Sequence, residues 1–367
     1  MKTNLIIMVI LVSLLSFYNQ SYSQSDSARA NIEALPILSY DSDVGIGFGA
    51  KLFLFDLMKS KESFDFILFG STKGERWFKI VYSSPDFESR QGKKFPVSFD
   101  IIAEYDKYSK YYYYVTRTSL NPSTISYELK DYKNESTYEK INLGIFISRG
   151  FLKDFTGTLA LQYKNFSLYD LKLDSLLYYE YDYPVPESGG FLSLLINSKW
   201  DTRNSYINPL SGLLMQLEYE LIHQMSPSNH LYSRLMLAFQ QYNEIIEKNL
   251  VIALRIKAET TGGGLGSSTF ILLPVGGSNN LRGYALDKYR FTMMILANGE
   301  LRFPIWWRFG GIAGVDYATG TLPNDESKSL INAVCGLRLL MDNFVVRADV
   351  GFSKDETGFY LNFGHLF

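Results

Sequence analysis

The feature that most constrains this chain is an alternation of apolar with polar or ionic side chains, which is the dominant pattern of the sequence from about residue 44. In the run Tyr289 to Phe303, the odd-numbered positions are mostly apolar, and the charged residues Arg290, Glu300 and Arg302 are at even-numbered positions. This period is that of a β-strand, whose successive side chains point to opposite faces of a sheet. The same split recurs at residues 212–223, 250–259 and 343–352.

The length and charge of these runs favour a transmembrane barrel over a soluble sandwich. A tilted strand needs about 10 residues to cross a bilayer. Charges of both signs on successive strands are typical of a wet lumen behind a lipid-facing surface, and aromatic residues, 16% of the chain, can form its interfacial girdles. We therefore expect an all-β, antiparallel transmembrane barrel of the outer-membrane type. Because bacterial barrels have even strand numbers, we expect about 16 strands and both chain ends on the periplasmic side.

The amino terminus has the pattern of a secretory signal peptide. It begins with Met1-Lys2, continues through the apolar stretch Leu5 to Phe17 and becomes small and polar around Ser21 and Ser23. The apolar stretch is too short to cross a bilayer as a helix. We expect residues 1–23 to be a cleaved signal peptide, 24–42 a short periplasmic lead and 43–367 the barrel of a protein exported to the bacterial outer membrane.

Composition and spacing argue against several other functions. A net charge of -2 gives no electrostatic footprint for nucleic acid. The three histidines lack zinc-site spacing, and neither a nucleophile elbow nor a phosphate-binding loop is present, so we expect no metal, no cofactor and no enzyme. The single cysteine, Cys335, is expected on the lipid face, and the run Tyr111 to Tyr114 in an aromatic girdle.

Four motifs together resemble the barrel of the Omp85 superfamily, also called the bacterial surface antigen domain, which includes the BamA and TamA insertases. Leu281-Arg282-Gly283-Tyr284 resembles the (V/I/L)-R-G-(F/Y) motif of an outer loop that folds back into the barrel. Gly299 to Pro304 is similar to the E-x-R-F-P strand, and Val315-Asp316-Tyr317 with Gly320 to the aromatic-x-D-x-G strand. The fourth motif, a periplasmic turn similar to D-T-R-D-N...P-x-x-G, consists here of Asp201, Thr202, Arg203, Asn204, Pro209 and Gly212.

The resemblance implies that Arg282 pairs with Asp316 and lies near Glu300. Alternation independently places both acids on the lumen face of consecutive strands. A guanidinium contacts a carboxylate through two parallel hydrogen bonds, which a lysine cannot reproduce. The alternative is a solvated loop arginine beside unrelated lumen acids.

The carboxyl-terminal aromatic residues resemble the β-signal that outer-membrane proteins present to the assembly machinery. We expect the signal residues to share the lipid face of the last strand; they are Phe359, Leu361, Phe363 and Phe367. His365 stands where Tyr or Phe is usual in such signals. An ordinary last strand is the alternative.

The resemblance also bears on function. Family members normally carry POTRA domains before the barrel, and residues 24–42 are too few for one, so we expect a member without them. The leading hypothesis is that the barrel assists insertion or translocation of polypeptides, through a seam between a first strand near 44–55 and a last strand near 359–367. A passive pore or surface antigen is the alternative, and an outer-membrane enzyme is a third hypothesis. Expected partners are outer-membrane lipids, client outer-membrane proteins and a separate periplasmic or lipoprotein partner.

Overall fold

A computed structural model describes residues 32–121, 126–172, 188–246, 250–263, 269–323, 325–341 and 344–367. Its 16 antiparallel barrel strands close into a single barrel, which confirms the predicted fold class and strand number. In this described part, no helix is long and apolar enough to cross a membrane. The predicted signal peptide lies outside it.

The strands follow one another around the wall, and each pairs with its sequence neighbours except where one loop intervenes. Before that loop come β1 (Ile32–Asp41), β2 (Gly45–Phe55), β3 (Ser63–Ser71), β4 (Glu75–Ser84), β5 (Phe95–Asn121), β6 (Ser126–Gly150), β7 (Phe155–Lys172), β8 (Gly189–Asp201), β9 (Gly212–Ser226), β10 (His230–Ile246) and β11 (Leu250–Gly262). The loop carries a hairpin, β12 (Leu273–Val275) and β13 (Tyr289–Phe291). After it come β14 (Met293–Trp306), β15 (Phe309–Thr321), β16 (Ser327–Leu340), β17 (Val345–Phe352) and β18 (Thr357–Phe363). One helical turn, α1 (Phe87–Arg90), lies between β4 and β5.

The expected start of the barrel at residue 43 is wrong. The strand β1 lies within the segment 24–42 and pairs with β2 along its whole length, from Ile32–Leu54 to Asp41–Gly45. Its sequence hides this role because Pro36 cannot donate to a ladder, and such a residue is tolerated where a strand lacks a partner along part of one edge. The strand predicted near residues 44–55 is the second strand of the barrel.

The two faces of the wall separate as the alternation predicts. Outward residues such as Leu217, Leu237 and Ile256 are exposed, whereas Glu220 and Asn298 are buried inside. Cys335 is exposed, which fits its predicted lipid-facing position. Short turns, such as the one at 307–308, lie at one end, and the strand ends that flank the two long connections, from β7 to β8 and from β11 to β14, lie at the other. Short turns are typical of the periplasmic end of such barrels.

Candidate functional site

The loop between β11 and β14 enters the barrel lumen. We call its described part, residues 269–292, the lumen loop; it contains one 3₁₀ turn, Thr269–Ile271, and the β12–β13 hairpin. A buried apolar cluster joins the loop to the inner wall, and its members include Leu273, Val275, Leu281, Tyr284, Met294, Leu296 and Leu330. The loop is therefore held against the inner wall by buried apolar side chains.

Arg282 lies at the centre of an ionic cluster inside the barrel. Its side chain is fully buried. The Nε and Nη2 atoms donate to the two carboxylate oxygens of Asp316 at 2.9 and 2.8 Å. The Nη1 atom donates to Glu300 at 2.8 Å and to Asp349 at 3.0 Å. We call these four residues the ionic anchor.

Further donors from the wall surround the acids of the ionic anchor. Arg302 contacts Glu300 at 2.9 Å, and Arg338 donates to Asp349. Asn298 and Asn332 donate to the two oxygens of Asp316 at 2.8 and 3.2 Å. Each buried carboxylate thus has more than one donor, which is the condition under which charges are tolerated away from water.

Two glycines let the loop backbone lie flat against β17. Gly283 has a φ of +87°, a conformation that favours glycine. A Cβ atom on Gly351 would lie 2.5 Å from the carbonyl carbon of Arg282. The Gly283 N–H donates to the Tyr360 hydroxyl at 2.9 Å, and its carbonyl accepts from Ser353 at 2.6 Å. The Arg-Gly pair therefore serves both charge pairing and close approach.

The structure brings Arg282 together with Asp316 and Glu300, as the sequence predicts. Leu281 and Tyr284 lie in the apolar cluster beside them. Sequence reasoning missed Asp349, although the alternation of residues 343–352 had placed it on the lumen face. It also missed Tyr360, which no motif distinguishes from the other tyrosines.

A second attachment of the lumen loop lies on the other side of the barrel. Phe270 stacks on Phe166 of β7, with ring centroids 4.9 Å apart and planes 10° apart, and lies 6.3 Å from Tyr138 of β6. The neighbouring Ile271 is buried with residues of β8, β9 and β10, which are Phe191, Ile222 and Tyr232. We call Phe270, Phe166 and Tyr138 the aromatic anchor.

Tyr111 reinforces the aromatic anchor. It stacks on Tyr138 at a centroid distance of 5.0 Å, and its hydroxyl donates to Asp287 of the loop at 3.0 Å. Arg290 of the loop donates to the same hydroxyl. Tyr111 is only 4% exposed, so its predicted place in an aromatic girdle is wrong. The loop thus crosses the lumen from β14–β18 to β5–β10.

The barrel closes at a short seam between β1 and β18. Only two register pairs join these strands, Tyr40–Leu361 and Asp41–Tyr360. Just beyond these pairs, the Ser42 N–H donates to the Phe359 carbonyl at 3.1 Å. Among the described residues, no register pair joins Ile32–Ser39 to β18. By contrast, β17 pairs with β18 from Val346 to Phe352.

The end of the chain corrects part of the predicted β-signal. Phe359 and Phe363 are exposed on the outer face, and Leu361 is half-buried there. Phe367 is instead 9% exposed inside the barrel, where its ring lies 5.2 Å from the guanidinium carbons of Arg255 and Arg302. Gly364, with a φ of +80°, ends the alternation and turns the segment inward. Cation–π attraction then favours the interior position.

Hydrogen bonds between its own residues shape the predicted periplasmic turn. Arg203 donates twice to Asp201, at 2.8 Å for each bond, and the Thr202 N–H donates to the Leu213 carbonyl. Gly212 has a φ of +103°, and a Cβ atom there would lie 2.4 Å from the Thr202 carbonyl oxygen. Pro209 is buried. The geometry fits a role in shaping the turn.

Over the ranges that the structure describes, no group of His, Cys, Asp and Glu side chains could hold a metal ion. The arrangement is a network of fixed charges, packed rings and an incompletely paired seam.

Comparisons with known proteins agree with this geometry. The family model of the Omp85 superfamily domain matches residues 70–353. BamA from Haemophilus ducreyi lacking POTRA domains 1-3 aligns with a TM-score of 0.64 and 15% identity, over 91% of this chain and 70% of that one. CdiB from Escherichia coli aligns with a TM-score of 0.62 and 13% identity, over 92% of this chain and 63% of that one. CdiB from Acinetobacter baumannii aligns with a TM-score of 0.58 and 12% identity, over 92% of this chain and 61% of that one. The chain thus spans less than two thirds of either CdiB. None of the curated proteins compared matches the sequence.

Proposed function

The chain belongs to the Omp85 superfamily, and from this membership we propose that it assists the insertion or translocation of polypeptides at the outer membrane. The observation that carries the proposal is the seam, where β1 and β18 are paired at only two positions. All other neighbouring barrel strands are paired over longer stretches. The seam is therefore the place where the wall can open at the lowest cost.

An incompletely paired seam offers an edge to an incoming strand. Backbone N–H and C=O groups without partners cost several kcal/mol each in hydrocarbon. The edge of Ile32–Ser39 is such a surface if it faces lipid, and a client strand that paired with it would satisfy both backbones by strand addition. We propose that clients enter the membrane along this edge.

The position of the lumen loop favours passage of polypeptide sideways through the seam, and it argues against a passive pore through the lumen. It is fixed to both sides of the barrel, by the ionic anchor at β14–β18 and the aromatic anchor at β6 and β7. A solute that entered the lumen would meet this packed crossing. The passive pore or surface antigen is retained as the competing outcome of the experiments below.

Several finer points belong to the same proposal. The protein is exported by a cleaved signal peptide at residues 1–23. Phe359, Leu361 and Phe363 serve as its β-signal. A separate periplasmic or lipoprotein partner presents clients to the barrel. We also propose that the protein acts without a cofactor and without enzymatic chemistry. Strand exchange needs neither, because it makes and breaks only hydrogen bonds.

A reversible lock on the seam tests the proposal. The pair Tyr40→Cys and Leu361→Cys, in a Cys335→Ser background, would join β1 to β18 across a register pair, where Cα atoms stand within disulfide range. We expect oxidation to abolish client assembly and a reductant to restore it. The matched control joins Ala348→Cys to the same Leu361→Cys within the paired β17–β18 ladder and is expected to leave assembly unchanged.

Depletion of the protein separates the two functions. Loss of particular outer-membrane proteins with unchanged solute uptake supports insertion. Altered uptake of small solutes with an intact outer-membrane proteome supports the passive pore. Full client assembly by the oxidised seam variant would contradict the proposed route even if depletion lowered those proteins.

A further inference from the structure

The outer wall carries a hollow beside the seam. It has a volume of about 540 Å³ and crosses strands β14 to β18 as far as β1. This volume falls within the range of roughly 300–1,000 Å³ that is usual for ligand pockets. We call it the outer groove. A convex barrel wall covered by large side chains would offer no such concavity.

The groove arises from alternating side-chain size along one cross-strand row. Consecutive register pairs give this row, which reads Phe303, Gly311, Leu337, Ala348, Leu361 and Tyr40. The Phe303 ring lies over Gly311, where an added Cβ atom would be 2.6 Å from it. Ala348 and the neighbouring Cys335 are small and form the floor. Larger side chains on both sides form the walls.

The periplasmic end of the groove leads to an aromatic and cationic turn. Ile305 lines the groove and is followed directly by Trp306, Trp307 and Arg308. The two indoles are 72% and 73% exposed, and the Arg308 guanidinium lies 5.7 Å from the Trp307 ring. Exposed Trp and Arg at the end of an apolar wall are typical of the level of lipid headgroups.

We propose that the outer groove binds one phospholipid of the periplasmic leaflet, with an acyl chain on Ala348 and Cys335 and its phosphate at the turn of Trp306–Arg308. The strands β14 to β18 are hydrogen-bonded on both sides under the groove. A peptide lying there would leave its backbone unpaired in hydrocarbon, whereas an acyl chain has no such groups to satisfy. The positive Arg308 complements a phosphate.

The inference rests on the barrel standing in a membrane and not on polypeptide insertion. It places a bound lipid against Tyr40 and Leu361, the residues that close the seam. Removing that lipid would change the surroundings of the seam without altering any strand pairing. The outcome of a lipid-binding measurement is thus independent of the seam lock.

Filling the groove tests the site. Ala348→Trp should occupy the hollow, and the purified folded barrel should lose the phospholipid that the wild-type chain retains after detergent washing, as measured by native mass spectrometry. Ala333→Trp is the matched control, because Ala333 is exposed on the same outer face of β16 but does not line the groove. Arg308→Gln should weaken retention of anionic phospholipids in particular.

The native thiol gives a second measurement on a chain with no added bulk. We expect vesicle phospholipids, added to the delipidated barrel in detergent, to slow maleimide modification of Cys335. The same addition should not slow modification at position 333 in an Ala333→Cys, Cys335→Ser chain. Retention of the phospholipid by a folded Ala348→Trp barrel, equal loss in Ala333→Trp, or equal protection at both thiol positions would overturn the proposed site.

Discussion

The two sides of the barrel hold the lumen loop by different chemistry. At β14–β18, the ionic anchor buries Arg282 against three carboxylates, all without exposure to water. At β6 and β7, the aromatic anchor stacks Phe270 on Phe166, and both rings are only half-buried. Removing one partner of a buried ionic cluster leaves the others unpaired, whereas a ring pair contributes about 1 kcal/mol beyond its buried area. We therefore expect the ionic anchor to keep the loop inside the barrel. We expect the aromatic anchor to control how completely the loop closes the lumen.

Breaking the ionic anchor should have the largest effect. Arg282→Ala leaves three buried carboxylates without their shared donor, and we expect it to lower the free energy of unfolding by about 3–5 kcal/mol. Urea unfolding of the barrel in lipid vesicles measures this loss, and the temperature at which the folded band disappears on gels gives an independent check.

Two further variants separate charge from geometry. Arg282→Lys keeps the positive charge but cannot form the two-pronged contact with Asp316, so its stability should fall between that of the wild type and Arg282→Ala. Arg234→Ala removes a half-buried lumen arginine outside the anchor and should cost far less. Equal stability of Arg282→Ala and Arg234→Ala would show that the buried pairing contributes nothing special.

The ionic anchor was predictable because its partners obey the strand period. Alternation placed Glu300 and Asp316 on the lumen face, and the resemblance supplied the loop arginine. The same argument applied to Asp349 would have completed the set. Charged residues on a wall have few partners available, so a period of two and one loop arginine nearly determine the contacts.

The aromatic anchor could not be predicted in the same way. Phe270 and Phe166 lie far apart in sequence, and rings are also expected on the outer face, so pattern alone cannot tell a lumen ring from a girdle ring. Tyr111 was misplaced for this reason. Phe367 and β1 were misplaced for different reasons, because Gly364 ends the period of two in the last strand and Pro36 is a residue that strands seldom contain.

Weakening the aromatic anchor should sharpen the contrast. Phe270→Ala removes the stack on Phe166 and the contact with Tyr138, which should cost about 1–2 kcal/mol. Because the ionic anchor remains, we expect the loop to stay inside while the lumen becomes more open to small ions. Conductance in planar bilayers should therefore rise in Phe270→Ala, although its loss of stability is smaller than that of Arg282→Ala.

A control ring shows whether this conductance depends on the crossing itself. Phe48→Ala removes an exposed ring from the outer face of β2 and should leave conductance unchanged. Were Phe270→Ala to conduct no better than Phe48→Ala, the aromatic anchor would play no part in closing the lumen.

The smallest expected effect concerns pH at the outer mouth, where Asp43 of the β1–β2 turn accepts a hydrogen bond of 2.8 Å from the Leu286 N–H of the loop. Burial, together with the charge of Asp41, raises the pKa of Asp43 to about 7. A raised pKa favours the protonated carboxyl in the folded state, so its contribution is complete below the unfolded value of about 3.9 and is lost as pH rises through about 7. Because Asp43 is half-buried at the mouth, we expect the free energy of unfolding to change by less than about 1 kcal/mol between pH 5 and pH 8 through this group.

A pair of variants tests this assignment. Asp43→Asn should remove this part of the pH dependence of unfolding, whereas Asp325→Asn, in another outer loop, should not. The same pH dependence in Asp43→Asn and the wild type would place the titration elsewhere.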